Sequence, residues 1–121
     1  MELLAYFKSI LDMDRAPVVV CDLEHTIIYM NPVAVKRYHG DLTGKSLMAC
    51  HNTKSCEMIE KVIKWFEATP ENNITYTFRN DKENKEVYMV ALRDDSGKLI
   101  GYYEKHEYRD HETMPLYDGI L

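Results

Sequence analysis

A chain of 121 residues that is 45% hydrophobic and 29% charged is sized and balanced for one folded domain. Its formal net charge of −5 argues against direct nucleic-acid binding, because an acidic surface repels phosphate backbones. No apolar run approaches the roughly 20 residues of a membrane span, Met1–Lys8 lacks the basic start of a signal peptide, and three cysteines make no disulfide framework, so the expected setting is cytoplasmic and reducing.

Residues 2–13 read as an amphipathic helix. Leu3, Leu4, Phe7, Ile10 and Leu11 recur at helical spacing, Tyr6 and Met13 widen the stripe, and Glu2, Lys8 and Asp12 fill the other face. Pro17 ends any helix there, since the residue before proline avoids the helical region. Val18-Val19-Val20-Cys21 and Thr26-Ile27-Ile28-Tyr29-Met30 are β-branched runs joined by the polar turn Asp22-Leu23-Glu24-His25, which makes a hairpin. Asn31 is placed to cap a short helix that begins at Pro32, reaches Tyr38 and stops at His39-Gly40. Leu42 to Asn52 is less regular, with Gly44 breaking it early.

A firmer helix is expected from near Ser55, with Met58, Ile59, Val62, Ile63 and Phe66 on one face. The pairs Glu57–Lys61 and Glu60–Lys64 would each add about 0.2–0.5 kcal/mol. Pro70 and Glu71-Asn72-Asn73 end it. Ile74, Tyr76 and Phe78 then alternate with Thr75, Thr77 and Arg79, a period of two. Val87, Met89 and Ala91 alternate with Tyr88, Val90 and Leu92, so this strand is apolar on both faces and belongs in the middle of a sheet. Asp94-Asp95-Ser96-Gly97 is a tight turn in which Gly97 can take a positive φ, and Leu99–Tyr108 is the last strand. The remainder to Leu121 lacks periodicity and is expected to dock through Leu116, Tyr117 and Ile120.

Strands grouped toward both ends with helices between them imply an α+β fold: one antiparallel sheet with helices on one face. The chain divides into an N-terminal amphipathic helix (1–13), a central domain (14–108) and a C-terminal extension (109–121).

Three segments resemble PAS domains. Val19 through Ala34, with its aspartate turn, hydrophobic strand and Asn31-Pro32-Val33-Ala34, is similar to the family's opening hairpin. Leu42-Thr43-Gly44-Lys45-Ser46-Leu47 is similar to its middle Leu-x-Gly-Lys/Arg-x-Leu segment, and Arg93 through Gly101 to its final hairpin. The likeness spans about residues 9–106. It implies a five-stranded antiparallel sheet closing a receptor-like cup, and a bacterial sensor rather than an enzyme. Such a module binds a small molecule or a protein partner and passes a signal on non-covalently. Its homodimer would form through the N-terminal helix, whose apolar stripe can cover a neighbour's sheet edge.

A narrower likeness lies in Cys50-His51-Asn52-Thr53-Lys54-Ser55, which resembles the Cys-His-x-x-Lys-Ser segment of small bacterial PAS modules, some attached to hemerythrin-like proteins; no role is carried over with it. Two departures stand out. His25 occupies a position where many PAS hairpins have glycine, and Glu104-Lys105-His106-Glu107-Tyr108-Arg109 is more polar than the usual end of the last strand. The usual exit into a signalling helix is absent, so transmission to a covalently attached output domain is not expected.

Candidate ligand-binding residues fall in two groups. The first is Cys50, His51 and Asn52, where His51 could ligate haem or serve a cap network, and Cys50 could be a redox sensor or a small buried residue. Haem-binding relatives place their ligand on the long helix itself, which weighs against His51. The second is Trp65, Tyr76, Phe78, Tyr88 and Met89, which either line a small-molecule pocket between sheet and long helix or simply fill the core. A flavin photoadduct is excluded, because Ser46-Leu47-Met48-Ala49 stands where light-sensing relatives carry their cysteine motif. The five histidines show no metal-ligand spacing, and no Gly-x-Ser-x-Gly elbow or phosphate loop is present.

Overall fold

The period-two segments fold as β1 (Val19–Asp22), β2 (Ile27–Met30), β3 (Ile74–Asn80), β4 (Lys85–Arg93) and β5 (Leu99–Tyr108) in a computed structural model that describes residues 2–121 apart from the Cys50 side chain. They form one antiparallel sheet in the order β2-β1-β5-β4-β3. The two halves of the chain join where β1 meets β5, pairing Val20 with Tyr103, Cys21 with Tyr102 and Asp22 with Gly101. Here the backbones approach closely. A Cβ on Gly101 would stand 2.3 Å from the Cys21 carbonyl oxygen, so only glycine fits.

The hairpin turns are closed by aspartates. Asp22 Oδ1 accepts from the backbone N–H of Glu24 and of Thr26, both at 2.9 Å, and this holds His25 in the left-handed region at φ 66°. Histidine at that position therefore carries the strain that glycine would avoid. Asp94 Oδ1 does the same for Ser96 (2.9 Å) and Lys98 (3.1 Å), with Gly97 at φ 86° as its residue type allows.

Three α-helices accompany the sheet: α1 (Leu3–Asp12), α2 (Pro32–Arg37) and α3 (Thr53–Ala68). A 3-10 turn over Leu47–Cys50 precedes α3. Helix α3 starts two residues before the expected Ser55, because Asn52 Oδ1 caps it by accepting from Ser55 N at 2.8 Å. Its buried stripe is Ile59, Ile63 and Phe66, packed against Cys21, Ile27, Met30, Met89, Leu99 and Tyr102. Glu60 lies 3.6 Å from His25 across the helix–sheet junction.

Two polar side chains bind the parts together. Asn31 is fully buried and uses all its capacity: Oδ1 accepts from Val18 N (2.9 Å) and Ala34 N (3.0 Å), and Nδ2 donates to Leu11 O (3.0 Å) and Ala16 O (2.9 Å). Arg93 reaches from the end of β4 to the C-terminal end of α3, donating to Phe66 O at 2.7 Å, Asn72 O at 3.1 Å and Asn73 Oδ1 at 2.7 Å. A cation at that end meets the negative end of the helix dipole.

Two expectations need correction. The period-two pattern of β3 is broken by a register shift between Tyr76 and Phe78, so those side chains do not share a face. Leu116, Tyr117 and Ile120 do not dock; all three are about 70% exposed, and the extension touches the domain through Arg15–Glu112 (2.7 Å) and Asn84–Asp110 (2.8 Å). Helix α1 forms as expected with its apolar stripe uncovered; among the described residues its side chains are not buried, and its last turn is tied to the domain by Asn31 on Leu11 O and by the Tyr29 hydroxyl donating to the Asp12 carboxylate.

Candidate functional site

At the end of the cup where β4 begins and β5 ends, the sheet and helices part around a cavity of about 530 Å³. Helix α2 and its cap contribute Arg37 and Tyr38, and the start of α3 contributes Asn52, Lys54, Ser55 and Met58, with His51 just before it. The sheet floor is Thr77, Phe78 and Asn80 from β3, Lys85 and Val87 from β4, and Glu104 and His106 from β5. Cross-strand pairing explains this floor, since Phe78 pairs with Val87, and Val87 in turn with His106.

The electrostatics of the floor are unusual for a sheet interior. Lys85 is only 1% exposed, and its Nζ makes no hydrogen bond. It stands 3.4 Å from Glu83 Oε2 and 5.2 Å from the centre of the Tyr108 ring. Glu83 is already engaged, accepting from Arg37 at 2.8 and 3.0 Å and from Asn80 Nδ2 at 2.7 Å. The Arg37 guanidinium holds its carboxyl well below the usual range, at about 2. Burial pushes the His106 imidazole down to about 4, helped by the positive charges of Lys85 and Arg37. His106 Nδ1 is buried without a hydrogen-bond partner.

Glu104 lies between two histidines, Oε1 at 4.0 Å from His51 Nε2 and Oε2 at 3.9 Å from His106 Nε2. Burial raises its carboxyl, with His51 and Lys85 acting against that rise. A recess of about 10 Å³ continues behind this row toward Val19, Leu47 and Tyr102, room for about one water. The apolar part of the lining is Met58 of α3 with Val87 and Phe78 of the floor.

The expected site residues separate into those at the cavity and those away from it. His51, Asn52 and Phe78 line it. Met89 is fully buried in the core beyond it. Tyr76 and Tyr88 stack on the outer face of the sheet with ring centres 5.4 Å apart, and Tyr76 is 52% exposed, so neither lies between sheet and helix. Trp65 is 43% exposed on the far side of α3. The side chain of Cys50 lies outside the described residues.

Burial pushes the Cys21 thiol up to about 11, which makes it a poor nucleophile, and Cys56 Sγ sits 3.5 Å from Met48 O. His51 Nδ1 lies 3.0 Å from Leu47 O, and its Nε2 faces Glu104 rather than open space. Arg37, Lys85, Glu104 and His106 make the lining charged on the side where His51 stands, which fits a haem at His51 poorly. Among the described residues no group of three His, Cys, Asp or Glu is arranged to hold a metal ion, and no helix is long and apolar enough to cross a membrane.

Sequence reasoning missed Arg37, Lys85, Glu104 and His106 as cavity residues. A signal was present. Lys85 continues the alternation of buried Val87 and Met89, and Glu104 and His106 continue that of buried Tyr102, so all three fall on the inner face.

No family model matches this sequence, and no curated protein matches it. Solved structures do. A PAS domain from Colwellia psychrerythraea superposes with a TM-score of 0.66 at 17% identity, covering 89% of this chain and 98% of that one. The PAS domain of Bordetella pertussis BvgS gives 0.61 at 14% identity, covering 92% and 89%. A sensory box sensor histidine kinase from Vibrio cholerae gives 0.59 at 11% identity, covering 88% and 94%. The strand order, the helices on one face and these superpositions agree, and the chain has the PAS fold.

Proposed function

We propose that this domain is a non-catalytic sensor that takes a small molecule into the cavity between α3 and the β3–β5 floor and signals through non-covalent contacts. The observation that carries the reading is the pair of buried nitrogens at that cavity that lack a hydrogen-bond partner, His106 Nδ1 and Lys85 Nζ, the latter with only a 3.4 Å ion pair to Glu83. A fold that only needed stability would replace them with apolar groups, because an unsatisfied buried donor costs about 1–3 kcal/mol. The volume of about 530 Å³ suits a small ligand. The resemblance to a domain of a sensor histidine kinase supports a signalling role. Among the described residues no hydrogen bond joins the Ser55 hydroxyl to His51 or His106, which favours binding over catalysis.

Helix α1 is the proposed output and dimer element. Leu4 and Ile10 are 76% and 66% exposed along a stripe with no partner in the domain, while its last turn is tied to β2 through Tyr29 and to Asn31. A homodimer through this helix would bury that stripe. Native mass spectrometry of the protein purified from cells reads both parts at once: a retained small molecule and a two-fold assembly are expected. A bare monomer overturns the reading. Light scattering on the full chain and on a chain beginning at Asp14 tests the helix alone, with the shorter chain expected to be monomeric.

A further inference from the structure

The cavity floor is specific about charge. Lys85 has only donors to offer, its side chain is 2% exposed, and the nearest carboxylate is already held by Arg37 and Asn80. His106 Nδ1, beside it on β5, is also buried and free to donate in one of its two tautomers. Lys85 shares its one close carboxylate, Glu83, with Arg37 and Asn80, so donors of Lys85 and His106 are left unused at this end of the cup. Glu104 restricts which acceptor can enter, because its own carboxylate, 3.9 Å from His106 Nε2, repels a second negative charge. Beside these groups the lining is apolar, with Val87 and Phe78 on the floor and Met58 on α3.

We propose that the ligand is a small organic acid carrying a single carboxylate and an apolar body. The carboxylate turns to Lys85 and His106, and the flexible lysine stem lets the amine swing toward the incoming oxygens. The body lies against Met58, Val87 and Phe78. This assignment rests on reading the cavity as the sensory pocket, and it names the chemistry that pocket selects.

The test is an amide-resolved NMR titration of the full chain with benzoate, phenylacetate and butyrate, each compared with its neutral amide, and with inorganic phosphate. Each acid is expected to shift the Lys85, Val87 and His106 resonances and to bind about ten-fold or more tightly than its amide. Lys85→Met should abolish that preference, with urea unfolding confirming that the variant is folded; His106→Gln serves as a second variant should Lys85→Met not fold. Amides that bind as well as the acids overturn the charge assignment and leave the pocket standing. Phosphate binding more tightly than the carboxylates overturns the restriction to a single charge. Silence at all three resonances with every probe overturns the proposal, and native mass spectrometry of the protein from cells still reads the pocket independently.

Discussion

The two ends of the same inner sheet face are built on opposite terms. At one end Ile59, Ile63 and Phe66 of α3 close over Cys21, Met89, Leu99 and Tyr102, and the few polar atoms there are matched, as in the 2.8 Å contact between the Tyr102 hydroxyl and His25 Nδ1. At the other end, the same β4 and β5 present Lys85, Glu104 and His106 to a cavity, with two buried nitrogens left without a hydrogen-bond partner. The strands, the helix and the register are shared, so neither fold nor topology accounts for the contrast. It lies in side chains alone. The dry end carries stability, and the polar end gives some of it up for a surface that can answer a ligand.

The contrast is sharpest when each end is broken in turn. Phe66 is fully buried, and Phe66→Ala empties the dry end at a cost of about 3–5 kcal/mol. Urea unfolding should show a large fall in midpoint at unchanged slope; a loss below about 1 kcal/mol would mean that α3 is not what closes the core.

The polar end should reveal itself through pH. Above about 6.5, the ordinary histidine value, His106 is neutral in both folded and unfolded chains and adds no pH dependence. Between there and about 4, the unfolded chain takes up a proton that the buried imidazole refuses, so stability falls as pH falls. Glu83, held at about 2 against an ordinary 4.5, adds a further loss only below that ordinary value. Glu104, raised by burial, acts in the opposite sense, because its folded form accepts a proton first. His51 and Lys85 face the same carboxylate, so the comparison has to be made between proteins rather than read from one curve. His106→Gln isolates the contribution. It should remove on the order of 1–2 kcal/mol of the stability lost between about pH 7 and about pH 5. Parallel pH profiles for the two proteins would show that His106 is not held neutral.

The dry end was legible in the sequence and the polar end was not, for a physical reason. Periodicity is local: the stripe Ile59–Ile63–Phe66 and the alternation Val87–Met89 announce their own buried faces. The cavity instead gathers Arg37, His51, Lys85, Glu104 and His106 from four separate stretches, and only the pairing of β4 with β5 brings Lys85, Val87 and His106 together. Tyr76 and Phe78 part company for a related reason. One bulge between Tyr76 and Phe78 sends the first outward and the second inward, and a bulge leaves no mark in an alternating Ile-Thr-Tyr-Thr-Phe pattern. The polarity of Glu104–Arg109, visible as a departure, was the trace of the site, but polarity alone does not say which residues face in.

The smallest expected effect is the most informative one. Lys85→Met replaces an orphaned amine with an apolar chain of similar length, and Glu83 keeps Arg37 and Asn80 as partners when the lysine leaves. Removing a buried group that has no hydrogen bond loses little, and swapping it for an apolar one is often neutral or stabilising. Stability should therefore stay within about 1 kcal/mol of the parent protein, on either side, by urea unfolding at neutral pH. A loss above about 2 kcal/mol would mean that the 3.4 Å approach to Glu83 and the Tyr108 ring already satisfy the amine, which would make Lys85 part of the scaffold. A side chain buried to 1% exposure whose loss leaves the fold unharmed is available for something other than the fold, and it lines the cavity where a ligand would act.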